Sequence, residues 1–483
     1  MGSSCRVAAV TALLRACLCP LVLAGWAIAS SAAPNAVRNA ADFPGFNLGE
    51  KIHAAATSLP DGGTVDATSL TGAQSITADI FADIHVPITL LLGDTVIACT
   101  KVGPSWCIRI PKTGNVTIKG HGRGKTVLKL PPLGATQVRL IATADGTPNL
   151  EITGLDFDGN PENLDPLMQD HCIILYGVTN STIHDNVFHD CNGDGILLHG
   201  DDAANANRNV KIYGNVGYGR FRQFITLIDA ENVEVWKNRS TQSKGDCIHS
   251  EPYTKLQVVR NIDLHDNECA PTAGEANISF TSQVPGGNEN YSGYHIHDNL
   301  LRGADQILVI NSWRAQIDHN SVIDSRNRGD HFYGAISVGA KDSTIADNTV
   351  EWKDRAAAVG SGGGIYVWAA NVRVAGNLVK RANAAGISLR SAPHAVVVGN
   401  TVDGVLPNST GAAACFYIDG LGSGDNVWEG NRCEDTQAVP TTRNMIAGFN
   451  NDAGPTTDSE NVSSNLAGER VAGTIRLVGK AER

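Results

Sequence analysis

From residue 180 onward the chain repeats one short pattern: an apolar residue, two variable residues, then asparagine. Its asparagines are Asn186, Asn215, Asn238, Asn267, Asn299, Asn320, Asn348, Asn377, Asn400 and Asn431, at steps of 29, 23, 29, 32, 21, 28, 29, 23 and 31 residues. Three positions before them stand Ile183, Ile212, Val235, Leu264, Ile296, Ile317, Ile345, Val374, Val397 and Trp428. Each step carries a second pattern in which apolar and polar positions alternate: GDGILLHG, RQFITLID, GDCIHSEP, EANISFTS, ADQILVIN, YGAISVGA, GGGIYVWA and AAGISLRS. Alternation with period two predicts strands with one buried face. Two or three such strands per step predict a β-solenoid, in which each coil hydrogen-bonds to the next over a shared core. The leucine-rich phrase LxxLxL is missing, and a propeller blade needs a period of about 40 residues or more.

An asparagine fixed at one coil position has a structural reason. At a sharp bend it tolerates left-handed backbone angles, and its amide can donate to the asparagine one coil away, about 4.8 Å along the axis. NVTIKGHG and NLEITGLDFDG read as earlier coils without the asparagine, so the solenoid spans residues 90–435 in about a dozen coils. In residues 34–89, Leu48, Ile52, Ala55, Ala56 and Leu59 share a helical face, which predicts an amphipathic helix capping the open core. Residues 436–483, ending in a GTIRLVG strand, read as an irregular C-terminal cap.

Residues 1–33 have the three parts of a secretory signal: Arg6, an apolar stretch from Val7 through Ile28, and small residues ending at Ala32 and Ala33. An uncleaved membrane anchor is the competing reading, with Arg15 splitting the apolar run and no later segment long enough to span a bilayer. The mature chain is therefore expected to be secreted or periplasmic. It keeps eight cysteines, Cys99, Cys107, Cys172, Cys191, Cys247, Cys269, Cys415 and Cys433, as close neighbours separated by 8, 19, 22 and 18 residues. That spacing suits local disulfides; three of the separations approach one coil, so those pairs are expected to staple adjacent coils. No CxxC or HExxH phrase occurs, and no metal site is assigned. A net charge of −11 excludes a nucleic-acid partner, which needs clustered Lys and Arg. It also disfavours a highly anionic polymer unless a local basic patch exists.

Over residues 90–435 the repeats resemble the pectate-lyase-like superfamily of right-handed parallel β-helices, which contains polysaccharide lyases, glycoside hydrolases, uronan epimerases and phage tailspikes. Asn192-Gly193-Asp194-Gly195-Ile196 and Gly245-Asp246-Cys247-Ile248 resemble two phrases of the polygalacturonases of glycoside hydrolase family 28. The resemblance implies that Asp194 and Asp246 are acid/base carboxylates on an exposed sheet, acting without a covalent intermediate. Gly193 replaces that family's Thr, Gly245 replaces an Asp, and its Gly-His-Gly and Arg-Ile-Lys phrases have no match. The Asp-Pro-His phrase of alginate epimerases is also absent.

Aligning the strands puts Asp194, Gln223, Asp246 and Asp305 at one coil position, with Asp194 and Asp246 two coils, or about 9–10 Å, apart. Inverting hydrolysis needs about 6.5–9.5 Å between its carboxyl groups. The same alignment turns His199, His249, Glu251, Trp368 and Arg390 outward. His199 and His249 join the candidate catalytic set. Asp201, Asp202, Arg220, Arg222, Gln223, Lys244, Glu251, Asp305, Trp313 and Trp368 are candidate substrate contacts, the cations for a sugar carboxylate and the tryptophans for stacking. No cofactor is expected. Ca²⁺ is considered only at Asp156-Phe157-Asp158-Gly159-Asn160, which lacks the spacing of an EF-hand loop and reads as a turn. The expected partner is a polysaccharide or oligosaccharide, with no membrane contact after signal removal. The expected function is a glycoside hydrolase; a lyase or uronan epimerase using Arg, Lys and His, and a non-catalytic glycan-binding surface protein, are the alternatives.

Overall fold

The alternating strands stack into a right-handed parallel β-helix. The computed structural model describes residues 36–99, 106–132, 138–162, 169–241, 245–270, 277–303, 306–325, 334–353, 363–407, 413–419, 425–447 and 457–467, all within the compact unit Pro34–Arg483. The signal of residues 1–33, the GTIRLVG segment, Lys244 and Asp305 lie outside the described residues.

A coil has three strands, each paired in parallel with its counterpart one coil on. In one coil, Ile196–His199 lies on a first face, Asn207–Tyr213 on a second and Val216–Tyr218 on a third. The first two faces belong to a 29-stranded sheet and the third is a 15-stranded sheet. Inward residues such as Ile173, Ile196, Ile225 and Ile248 lie in register on successive coils and have no exposed surface. The stack is longer than residues 90–435. Gly63–Ala67 already pairs with Ile88–Leu92, and Asn444–Ala447 and Val462–Ser464 continue the pairing at the far end. Within residues 34–89 the helix Leu48–Thr57 buries Leu48, Ile52, Ala55 and Ala56 in the main core cluster. Its start is fixed by Asn47, whose side chain accepts the Glu50 N–H at 3.1 Å, while the Glu50 carboxylate accepts from the Phe46 N–H at 2.7 Å.

The asparagines line the corner between the second and third faces. This corner has the same two residues in coil after coil: Asp185-Asn186 joins His184 to Val187, Gly214-Asn215 joins Tyr213 to Val216, and Gly376-Asn377 joins Ala375 to Leu378. The left-handed residue is the first of the two (Asp185 φ 53°, Gly214 φ 66°, Asp266 φ 55°), not the asparagine as expected. The asparagine points inward instead, where its amide is fully used. Asn267 Nδ2 donates to Asn299 Oδ1 at 2.9 Å and to the Val235 carbonyl at 2.9 Å, and Asn267 Oδ1 accepts from the N–H and amide of Asn238. This ladder runs unbroken from Asn186 to Asn431 and on to Asn461. The corners flanking the first face vary widely, from the single residue Ala384 to residues 159–172.

All four expected cysteine pairs are joined: Cys99–Cys107, Cys172–Cys191, Cys247–Cys269 and Cys415–Cys433. Cys172–Cys191, Cys247–Cys269 and Cys415–Cys433, expected to staple adjacent coils, do not. Cys247 and Cys415 lie on first-face strands, and their partners Cys269 and Cys433 lie on the third-face strands of the same coils. Separations of 22 and 18 residues fall short of a full turn and cover the arc from first face to third.

Candidate functional site

The outward positions of the first face form columns. Counted from the inward isoleucine, they hold His171, Asp194, Gln223 and Asp246 two residues before, Ile174, Leu197, Thr226 and His249 one after, and Tyr176, His199, Ile228 and Glu251 three after. Gln223 pairs directly with Asp246, the alignment expected from the strand phrases. Ala142, Ile174, Leu197 and Ile228 form a separate apolar patch on this face, packed by Trp106 and Tyr176.

Asp194 is not an exposed carboxylate. It has no exposed surface, and Arg222 from the next coil grips it with Nε to Oδ1 and Nη2 to Oδ2 bonds of 2.8 Å each. The Asp194 N–H donates to His171 Nδ1 at 3.0 Å, so that nitrogen carries no proton toward the carboxylate. Burial pushes the His171 pKa down to about 4 against the pull of Asp194. Arg222 is committed to this pair, which holds Asp194 as a buried, ion-paired carboxylate.

Two coils on, Asp246, His249 and Glu251 form a chain. Asp246 Oδ2 is 2.9 Å from His249 Nδ1, His249 Nε2 is 3.5 Å from Glu251 Oε2, and Gln283 Nε2 donates to Glu251 Oε1 at 2.8 Å. Burial works against protonation of His249, but the two carboxylates outweigh it and raise its pKa to about 9. The His249 cation in turn holds Glu251 down at about 2, beyond what its partial burial opposes. The pairing thus favours the ionised form of Glu251.

His199 lies on this face beside Tyr176. Burial lowers its pKa, with Asp201 opposing and Arg139 assisting, so the ring is neutral near pH 7. Its Nε2 is 3.4 Å from the Tyr253 hydroxyl, and Tyr176 packs against the ring at 5.4 Å. Tyr253 arrives from the connection after the strand Asp246–Ser250 and is 46% exposed. Gln257 holds that connection in place: its Oε1 accepts from the N–H groups of Tyr253 and Thr254 at 2.9 and 3.1 Å, and its Nε2 donates to the Gly200 carbonyl at 2.8 Å. Nearby, the fully buried Asp229 accepts from the Val258 N–H at 2.9 Å, and burial, reinforced by Asp202 and Asp201, pushes its pKa up to about 7.

Several buried polar atoms on this face have no hydrogen-bond partner among the described residues: Arg139 Nε, His199 Nδ1, Gln223 Oε1 and Thr226 Oγ1. Buried polar groups without partners are rare in finished interiors and mark places where water or a polar ligand belongs. Arg109 and Arg139 flank Trp106 at the same end, with the Arg109 guanidinium 4.9 Å from the indole centroid. Arg109 and Arg139 thus place two cationic side chains at this end of the face.

The remaining candidates have local roles. Asp202 Oδ1 caps a turn by accepting from the N–H groups of Ala204 and Asn205, and Asp201 stands exposed beside it. Arg220 lies past the third-face strand Val216–Tyr218, its N–H bonded to Asp190. The face of Trp313 is covered by Lys341 Nζ at 3.5 Å, and Trp368 packs so closely over Gly339 that a Cβ there would lie 2.4 Å from the indole. In the 156–160 phrase, Asp158 pairs with Lys129 at 2.8 Å and accepts the Asn160 N–H, and Asp156 faces His189 at 3.3 Å.

Sequence reasoning missed Arg139, Tyr253, Gln257 and Asp229. It also missed a column on the second face, where His184, Tyr213, Trp236, His265 and His297 stack ring on ring at centroid distances of 4.7, 4.3, 6.0 and 5.0 Å. The signal was present, since each of these rings stands two residues before a ladder asparagine. Because their faces cover one another, these rings stabilise the stack.

Residues 305–471 match the family described as right handed beta helix region. Among solved structures, the A-module of the mannuronan C-5 epimerase AlgE6 of Azotobacter vinelandii aligns with a TM-score of 0.51 at 15% identity, over 88% of this chain and 99% of that one. An exopolygalacturonase from Thermotoga maritima aligns with a TM-score of 0.41 at 12% identity, over 88% and 92%. The Streptococcus pneumoniae surface adhesin PfbA aligns with a TM-score of 0.41 at 12% identity, over 90% and 91%. No curated protein matches. The fold is a right-handed parallel β-helix. At these identities the likeness is one of fold, and the reaction has to be argued from the side chains.

Proposed function

We propose that the first face, from Arg109 to Tyr253, binds an extended acidic glycan and abstracts a ring proton next to a uronate carboxylate. Support comes from one arrangement: a neutral His199, 3.4 Å from Tyr253, on the face that also carries Arg139, whose Nε has no partner among the described residues. Arg139 would neutralise the sugar carboxylate and so acidify the proton on C5. His199 takes that proton. In β-elimination the electron pair forms the C4–C5 double bond, the C4–O4 bond breaks and Tyr253 protonates the leaving oxygen. Return of a proton from water to the opposite side of C5, without O4 leaving, gives epimerisation. The hydrolytic alternative asks Asp194 to act as a free carboxylate, and its clamp by Arg222 weighs against that role.

A panel of uronate-containing and neutral polysaccharides tests the reading, with wild type, His199→Ala and Tyr253→Phe assayed for unsaturated uronides, new reducing ends and solvent deuterium at C5. The expected result is unsaturated product or deuterium uptake on a uronan, lost in both variants. New reducing ends without either signal indicate hydrolysis and overturn the proposal. Binding without any chemical change indicates a glycan-binding surface protein and overturns it too.

A further inference from the structure

The second face carries a cluster separate from the first-face site. Asp263 lies on the strand Val259–His265, and His295 and His297 on Tyr291–His297 one coil further. Register puts Asp263 directly beside His295, and the alternation of a strand turns His295 and His297 to the same side while Ile296 points into the core. The side chains are partly exposed, so an ion from solvent can reach them.

Both imidazoles aim at one oxygen. His297 Nε2 is 3.0 Å and His295 Nδ1 is 3.4 Å from the same Asp263 Oδ1, and one ligand atom from each residue lies within 4.8 Å of the others. Zinc bonds of about 2.0–2.2 Å to nitrogen and oxygen place tetrahedral ligands about 3.3–3.5 Å apart, which brackets the longer of these separations. The shorter one opens by a few tenths of an ångström on coordination. The two rings also stack, with their centroids 3.9 Å apart.

The far nitrogens are occupied as metal-bound histidines require. His297 Nδ1 is 2.7 Å from Asp298 Oδ2, and His295 Nε2 is 3.3 Å from Asp318 Oδ2. Asp318 is itself held by Gln316 at 2.5 Å and by His319 at 3.1 Å. A carboxylate behind each ligating imidazole fixes its orientation and raises its basicity. An open groove of about 360 Å³ along Lys211, Glu234 and Asp263 leads up to the cluster.

From this geometry we infer that Asp263, His295 and His297 bind one divalent cation of the zinc class, with Asp298 and Asp318 as positioning residues and the remaining coordination position open to water. Two imidazoles and one carboxylate suit zinc or its transition-metal neighbours; magnesium and calcium prefer all-oxygen sites. The inference is independent of the reaction proposed for the first face.

The test is calorimetric titration of the full chain, without an affinity tag, with zinc chloride, alongside His297→Ala, His295→Ala and Asp318→Asn. Circular dichroism establishes that each variant is folded. The expected result is saturable uptake of one zinc per chain, abolished by either histidine variant and weakened about 10–100-fold by Asp318→Asn. Absence of saturable uptake overturns the site, as does uptake unchanged in both histidine variants. Equal competition by calcium chloride overturns the assignment to the zinc class. A zinc-soaked crystal with anomalous density anywhere other than among these three side chains also overturns it.

Discussion

Arg222 reaches back one coil to hold Asp194 by two parallel hydrogen bonds of 2.8 Å, and the carboxylate it holds has no exposed surface. Removing the arginine strands a buried charge, whereas removing the carboxylate frees an arginine whose side chain is 37% exposed and can turn to water. Arg222→Ala is therefore expected to lower the unfolding free energy by about 3–5 kcal/mol, and Asp194→Ala by less. Urea unfolding midpoints check the order. If Asp194→Asn abolished turnover with an unchanged midpoint, Asp194 would return to the catalytic set.

The chain of Asp246, His249 and Glu251 makes stability depend on pH from both sides. The His249 pKa is raised from 6.5 to about 9, so its contribution is fully present below pH 6.5 and is lost as pH rises through about 9. The Glu251 pKa is lowered from 4.5 to about 2, so its contribution is present above pH 4.5 and is lost as pH falls through about 2. Subtracting the Tm profile of His249→Gln from that of wild type should give a plateau between pH 4.5 and 6.5 that declines on both sides. A difference independent of pH would refute the pairing.

His171 should show the opposite sign. Its folded pKa of about 4 lies below 6.5, so stability is full above pH 6.5 and declines as pH falls toward about 4. His171→Asn is expected to flatten that limb in thermal melts recorded across this range.

If His199 is the base, it must be neutral to act. Its lowered pKa moves the acid limb of kcat/KM below the ordinary histidine value of 6.5. His199→Ala should lose about 10²–10⁴ in turnover with its unfolding midpoint little changed. A limb at or above 6.5 would assign the titration to another group.

The buried asparagine column gives a graded prediction. Asn267→Ala removes the donor to the Val235 carbonyl and the acceptor of the Asn238 N–H, at a cost of about 1–3 kcal/mol for each buried group left unsatisfied, while Asn299 Oδ1 keeps the Asn267 backbone N–H. Asn461 is only partly buried at the end of the column, and Asn461→Ala should cost markedly less. Denaturant unfolding of the two variants compares them directly.

The solenoid is legible in the sequence because its cause repeats. One asparagine per coil bonds to the next, and the inward residue three places earlier recurs with it, so the period survives steps of 21 to 32 residues. The site is less legible because its parts come from different coils. Asp194 sits in a strand phrase that looks exposed, and only the Arg222 side chain of the following coil encloses it. Tyr253 belongs to a connection whose position depends on Gln257 reaching across to Gly200. The Asp263, His295 and His297 cluster has no sequence signature because its carboxylate and its two imidazoles lie on neighbouring coils. The left-handed corner residue was assigned one place too far along because Asn suits that conformation, while Asp, Gly, Lys, His and Glu fill it in this chain.

The two-residue corner between the second and third faces works like the spine of a bound book, and the variable corners beside the first face are its free margins. A residue inserted between His184 and Val187 would push the asparagine of that page out of its column and sever the ladder there. Residues added before Ile173 or after Ser250 would only lengthen a margin, leaving every page in register. New surface chemistry can therefore be written next to the first face coil by coil, without rewriting the structure that carries it.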